Sequence, residues 1–130
     1  MAKFLTPIIV KKIGPQLWEL REPLIFLSDK YPGKFIAPVG MITNFASIPR
    51  IFWNIFPPTD NYDAAAVIHD GGCHHDLLTE KGERIHTVKT VIDNIFYEAL
   101  IVCGVETVRA KLMYALVHKY GEVEETPWLT

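Results

Sequence analysis

The chain has 130 residues, of which 49% are hydrophobic and 22% charged, and its formal net charge is −2. That is enough chain for one hydrophobic core and the composition of an ordinary folded protein. Acidic and basic residues are mixed along the sequence, which leaves out the electrostatic footprint of a nucleic-acid or anionic-membrane binder, and no apolar run is long enough to span a bilayer.

The N-terminal run Met-Ala-Lys-Phe-Leu-Thr-Pro-Ile-Ile-Val-Lys-Lys reads as a strand and not as a secretion signal. Without such a signal, Cys73 and Cys103 are expected as reduced thiols. Strand-like runs follow at Leu17–Leu20, Leu24–Leu27 and Lys34–Val39, separated by Gly and Pro at Gly14-Pro15, Pro23, Pro32-Gly33 and Pro38 to Gly40. Prolines this close to the runs favour short strands in a small antiparallel sheet. A turn-rich bridge covers Thr43 to Arg50, and Ile51 to Phe56 has room for one or two helical turns carrying Phe52, Trp53 and Phe56.

The second half reads as helical. Asp60 to Asp63 supplies N-cap residues for the good helix former Ala64 to Asp70, and Gly71-Gly72 is expected to interrupt or end that helix. A polar loop from His74 to Glu83 leads to Thr87–Val102, where Val88, Val91, Ile92, Ile95, Ala99 and Val102 recur at helical spacing, with Gly104 as the stop. A last helix runs from about Glu106 to Tyr120, and an acidic tail includes Pro127-Trp128. The expected architecture is α+β, a small N-terminal antiparallel sheet packed on a C-terminal three-helix bundle. It forms a single domain over 1–130: β-rich and turn-rich over 1–50, helical over 51–121, and a tail at 122–130.

The residues that could carry chemistry centre on His69-Asp70. The two lie about 100° apart on a helix, so one can face a partner helix while the other faces a cleft or a cation. Asp93 sits off the centre of the next helix's apolar face, with Lys89 one turn before it and Phe96 and Tyr97 one turn after. On the plainest reading Asp93 is a surface carboxylate beside Lys89. If the aromatics cover it, it needs a buried partner, and the imidazole of His69 is the obvious one. In such a dyad the carboxylate fixes the imidazole tautomer and leaves the other ring nitrogen to take a proton from water, or it simply ties two helices together. Asp70 would then be free to hold a hard cation with oxygens from the turn around Asn44. A zinc site from His69, Cys73, His74, His75 and His86 competes, but Gly71-Gly72 intervenes and adjacent histidines point apart.

The succession Pro38 to Arg50, then Phe52-Trp53, Pro57-Pro58, Tyr62 and Ala65-Ala66-Val67-Ile68-His69-Asp70 resembles an uncharacterised protein family of tailed bacteriophages and prophages. The likeness continues through Asp93, Phe96 to Ala99, Gly104-Val105, Met113-Tyr114 and Tyr120-Gly121. Many members carry Asp where this chain has Asn44, and Tyr where it has Cys73. The resemblance implies a phage protein, in the virion or the host cytoplasm, whose partners are other virion proteins in a multi-copy assembly. A more distant similarity to secretory and bacterial phospholipases implies catalytic roles for His69 and Asp93, with a calcium ion held by Asp70 and the Gly40–Asn44 loop. The disulfide framework of those enzymes has no counterpart here. Two functions are thus expected from the sequence. The first is a structural or binding component of a phage tail or baseplate; the alternative is a calcium-dependent hydrolase of a lipid or cell-envelope ester.

Overall fold

The computed structural model describes residues 1–45 and 61–120. The expected helical turns at Ile51 to Phe56, Asp60 of the expected cap Asp60 to Asp63, and the C-terminal tail lie outside the described residues; within them the cap position of the first helix falls on Tyr62, with no side-chain cap hydrogen bond. The architecture is α+β, with the strands in the N-terminal part and three helices in the C-terminal part. The strands are β1 (Lys3–Phe4), β2 (Val10–Gly14), β3 (Leu17–Leu20), β4 (Leu24–Leu27), β5 (Lys34–Ala37) and β6 (Ile42–Thr43); the helices are α1 (Asp63–Cys73), α2 (Lys89–Val102) and α3 (Thr107–Tyr120).

Where the sequence reading expects one sheet, the strands form two antiparallel sheets, ordered β1-β4-β5 and β2-β3-β6. The N-terminal run, read as one strand, is divided between them: β1 pairs with β4, and β2 pairs with β3. Pro7 stands in the break, where it can donate no ladder hydrogen bond. β5 stops at Ala37, immediately before Pro38. The two-residue β6 ends on Thr43, where the turn-rich bridge begins, and pairs with β3, Trp18 opposite Thr43.

One hydrophobic core draws on both parts of the chain: Leu20, Leu24, Phe26 and Ala37 from the strands meet Ala65, Ile68, Phe96, Leu100, Ala110 and Met113 from the helices. Polar links fasten the same junction. Glu98 of α2 accepts from the Ser28 hydroxyl at 2.6 Å and the Asp29 N–H at 2.8 Å, and Asn94 donates to the Tyr31 hydroxyl at 2.9 Å.

α1 corrects the expected boundary. Gly71 and Gly72 lie inside the helix, not at its end. A Cβ on Gly71 would stand 2.8 Å from Leu77 Cδ2, and one on Gly72 would stand 3.0 Å from Ile92 Cγ2. The glycines are there because neighbouring groups approach the helix backbone closely, and this outweighs their poor helix propensity. The stop comes later, at His75, which takes the left-handed conformation (φ 57°) usually given to glycine. There the His75 N–H donates to the Gly72 carbonyl and the Asp76 N–H to the Gly71 carbonyl, a Schellman arrangement. α2 ends by the same device in its ordinary form: Gly104 has φ 89°, its N–H donates to Ile101, and the Val105 N–H donates to Leu100.

Candidate functional site

α2 and α3 form an antiparallel hairpin about Gly104, so Lys89 at the start of α2 meets the last turns of α3. α1 packs against α2. Asp93 lies where the three helices converge and is wholly buried. Its Oδ1 accepts from His69 Nε2 at 2.8 Å. Its Oδ2 accepts from Lys89 Nζ at 2.6 Å and from His118 Nδ1 at 2.9 Å. Lys89 also donates to the Val117 carbonyl at 2.7 Å, so one ammonium group binds α2 to the end of α3. Burial pushes the Asp93 carboxyl up, but the hydrogen bonds from His69, Lys89 and His118 outweigh it and hold the group below its ordinary range.

An ionised carboxylate only accepts, so the proton of the His69–Asp93 bond sits on Nε2. The other nitrogen, Nδ1, is the one a general base would use. It does not face open solvent, because His69 is 3% exposed and its ring packs on Phe96 with centroids 4.7 Å apart. One turn on, Cys73, weighed from the sequence as a reduced thiol and a zinc ligand, completes a Cys-His-Asp set. Its Sγ lies 3.8 Å from both ring nitrogens. A sulfur equidistant from the two nitrogens lies on neither N–H axis. Burial, with the nearby Asp93 and Asp70 charges, pushes the Cys73 thiol up to about 12. At neutral pH it is a protonated thiol, and the thiolate is the nucleophile in cysteine chemistry. The set is therefore no cysteine-protease-like centre.

Asp70 turns the other way. It lines a cavity of about 140 Å³ together with Leu17, Ile42, Thr43, Asn44 and His74. The structure thus brings together Asp70 and Asn44, the two residues expected as cation ligands. It does not bring His69 to them, since His69 is absent from that lining. The Asp70 carboxylate lies 3.3 Å from His74 Nε2. Burial pushes its carboxyl up; the Thr43 hydroxyl and the His74 charge oppose this without cancelling it. Calcium takes six to eight oxygens, commonly from several carboxylates. Among the described residues this cavity offers one carboxylate, whose ionised form is disfavoured, and the donor set does not fit the ion. No group of three or more His, Cys, Asp or Glu among the described residues could hold a metal. The residues weighed for zinc disperse accordingly: His69 goes to Asp93, His74 to Asp70, and His75 to a ring contact with His86 at 5.1 Å.

The sequence reading missed His118. Its ring lies flat against Tyr114, with centroids 5.3 Å apart at 9°, and its side chain is 46% exposed. The available signal was symmetry about the turn, because Lys89 and His118 lie at nearly equal chain distances on either side of Gly104.

Residues 18–117 match the family model described as Protein of unknown function (DUF1353). No curated protein and no solved structure matches the chain. The matched span holds His69, Lys89 and Asp93 of the network and all of the Asp70 cavity but Leu17, and leaves out β1, β2 and His118. With more than two thirds of its length matched, the chain belongs to the DUF1353 family.

Proposed function

We propose that this protein is a structural or binding component of a bacteriophage particle, associated with the tail or baseplate. On this reading it works through its surface and not by turnover at His69. The observation that carries the reading is the closure of the His69–Asp93 pair: His69 is 3% exposed, Asp93 is buried, and the second carboxylate oxygen is taken by Lys89 and His118. A carboxylate with donors from all three helices suits a node that fixes how they pack. A hydrolytic dyad would instead need an imidazole nitrogen within reach of water and substrate. The assignment to phage particles is supported by the motif running from Pro38 to Arg50 and on through His69-Asp70. Its partners would be other virion proteins. No helix among the described residues is long and apolar enough to cross a membrane.

Quantitative mass spectrometry of particles purified from a host that carries the gene is expected to find the chain at a fixed copy number per particle. Its absence from washed particles would refute the reading.

The hydrolase is the second reading, favoured by one observation, that Asn44 and Asp70 share a cavity. Hydrolysis of a soluble ester by wild type and by His69→Ala, with and without calcium, separates the two. The structural reading predicts the same background rate in all four samples.

A further inference from the structure

β2 is an outer strand: it pairs with β3 on one side, and no other described strand adjoins it. Val10 stands opposite Leu20, and the Arg21 N–H donates to the Ile9 carbonyl at 2.9 Å, which sets the phase of the ladder. In an antiparallel pair, residues that exchange hydrogen bonds alternate with residues that do not. Ile9 and Lys11 therefore turn their peptide groups towards β3, while Val10 and Lys12 turn theirs outward. Among the described residues nothing takes up those outward N–H and C=O groups. Apolar side chains lie exposed along this strand: Ile9 and Ile13, each at 45%.

The charge along the edge selects what can cover it. Lys11 and Lys12 are exposed, and β2 holds no acidic residue. The nearest carboxylate, Glu19 opposite Lys11, is paired with Arg21 at 3.2 Å. A second copy of β2 laid along the edge would bring lysines against lysines, the usual defence of an edge strand against its own kind. A strand with carboxylates at those positions meets attraction instead. The irregularity between Lys12 and Gly14 ends the regular ladder, so the usable edge stops at Lys12.

We propose that the free edge of β2 binds an extended segment of another protein that carries two successive acidic residues, added as a fourth strand beside β2. Main-chain hydrogen bonds at Val10 and Lys12 would hold it, and Lys11 and Lys12, which face opposite sides of the sheet, would each select one of the two acidic residues. This rests on the reading that the protein works by binding.

The test adds a short synthetic valine–glutamate peptide, two successive glutamates flanked by valines, to the full chain, with the peptide carrying two lysines in their place as control. Amide exchange at Val10 and Lys12, followed by NMR, is expected to be fast in the free protein and to slow at saturating valine–glutamate peptide. That peptide should bind at least about tenfold more tightly than its lysine counterpart. Val10→Pro removes an outward N–H and no bond to β3, so it should abolish the protection while leaving the circular dichroism spectrum unchanged. Lys11→Glu combined with Lys12→Glu should reverse the peptide preference and keeps the proposal open to refutation if the proline variant misfolds. Equal binding of both peptides, no protection by either, or protection that survives Val10→Pro would overturn the proposal. So would protection that appears without peptide as protein concentration rises, which would assign the edge to a second copy. Ester hydrolysis lost in His69→Ala would count against the binding reading instead, whatever the peptides do.

Discussion

His69 and Asp70 are neighbours in the chain and end in opposite surroundings. His69 points between helices towards the wholly buried Asp93, while Asp70 points towards the β6 segment and a small cavity. The two carboxylates beside them differ in the same sense. Asp93 is wholly buried with three donors that hold it ionised, and Asp70 is partly buried with fewer, so its charged form is disfavoured. Burial alone does not decide what a carboxylate does for a fold; the number of donors aimed at it does.

The largest effect should come from the interior network. Asp93→Ala leaves the Lys89 ammonium and the His69 imidazole without their acceptor, and should cost about 3–5 kcal/mol, a large part of the stability of a domain this size. Urea unfolding measures it. A loss under about 1 kcal/mol would show that the helices pack without the network.

Gly72→Ala comes next. Alanine favours a helix, but its methyl group would press on Ile92, a stiff β-branched side chain on the facing helix. The overpacking should win by about 1–3 kcal/mol, read as a lower Tm. A higher Tm would mean that propensity decides at this position.

His118→Ala removes one donor from Asp93 and leaves Lys89 in place. With the imidazole half exposed, the expected loss is about 1 kcal/mol. Double-mutant analysis with Lys89→Met should show the two losses to be coupled, since both act on Asp93 Oδ2.

The smallest effect separates the two carboxylates by sign. Asp93 has a folded pKa below its unfolded value, so its contribution is present above the ordinary value of 3.8 and is lost as pH falls through the depressed one. Asp70 has a raised folded pKa, so its contribution is present below 3.8 and is lost as pH rises through the raised value. At neutral pH, Asp70→Asn should therefore raise Tm slightly and Asp93→Asn should lower it. Thermal scans from pH 3 to pH 7 check both, and the same sign for the two substitutions would contradict the contrast.

Much of the helical part is legible in the sequence because its signals are local. The apolar spacing from Val91 to Val102 marks α2, and Gly104 marks its end with the left-handed residue such a cap uses. The same glycine rule misleads at Gly71-Gly72, where glycine serves close packing and not chain reversal. The contacts that require it, Leu77 and Ile92, are distant in sequence. His75 in a left-handed conformation carries no such sign. The division of the strands between two sheets is equally non-local, since it depends on β1 pairing across to β4. At the site, Asp93 and His69 can be paired from helix spacing and the need of a buried carboxylate for a partner. His118 is harder to place, because its position depends on how far α3 runs back along α2, and only its spacing from Gly104 hints at it.

The most direct test of the closed network is the exchange of the His69 Nε2 proton with water, followed by NMR at neutral pH. The account predicts a ring proton bonded to Asp93 that exchanges as slowly as the most protected amides of α2, and only when the core opens. A His69 ring proton that exchanges freely in the folded protein would contradict it and return His69 to the candidates for catalysis.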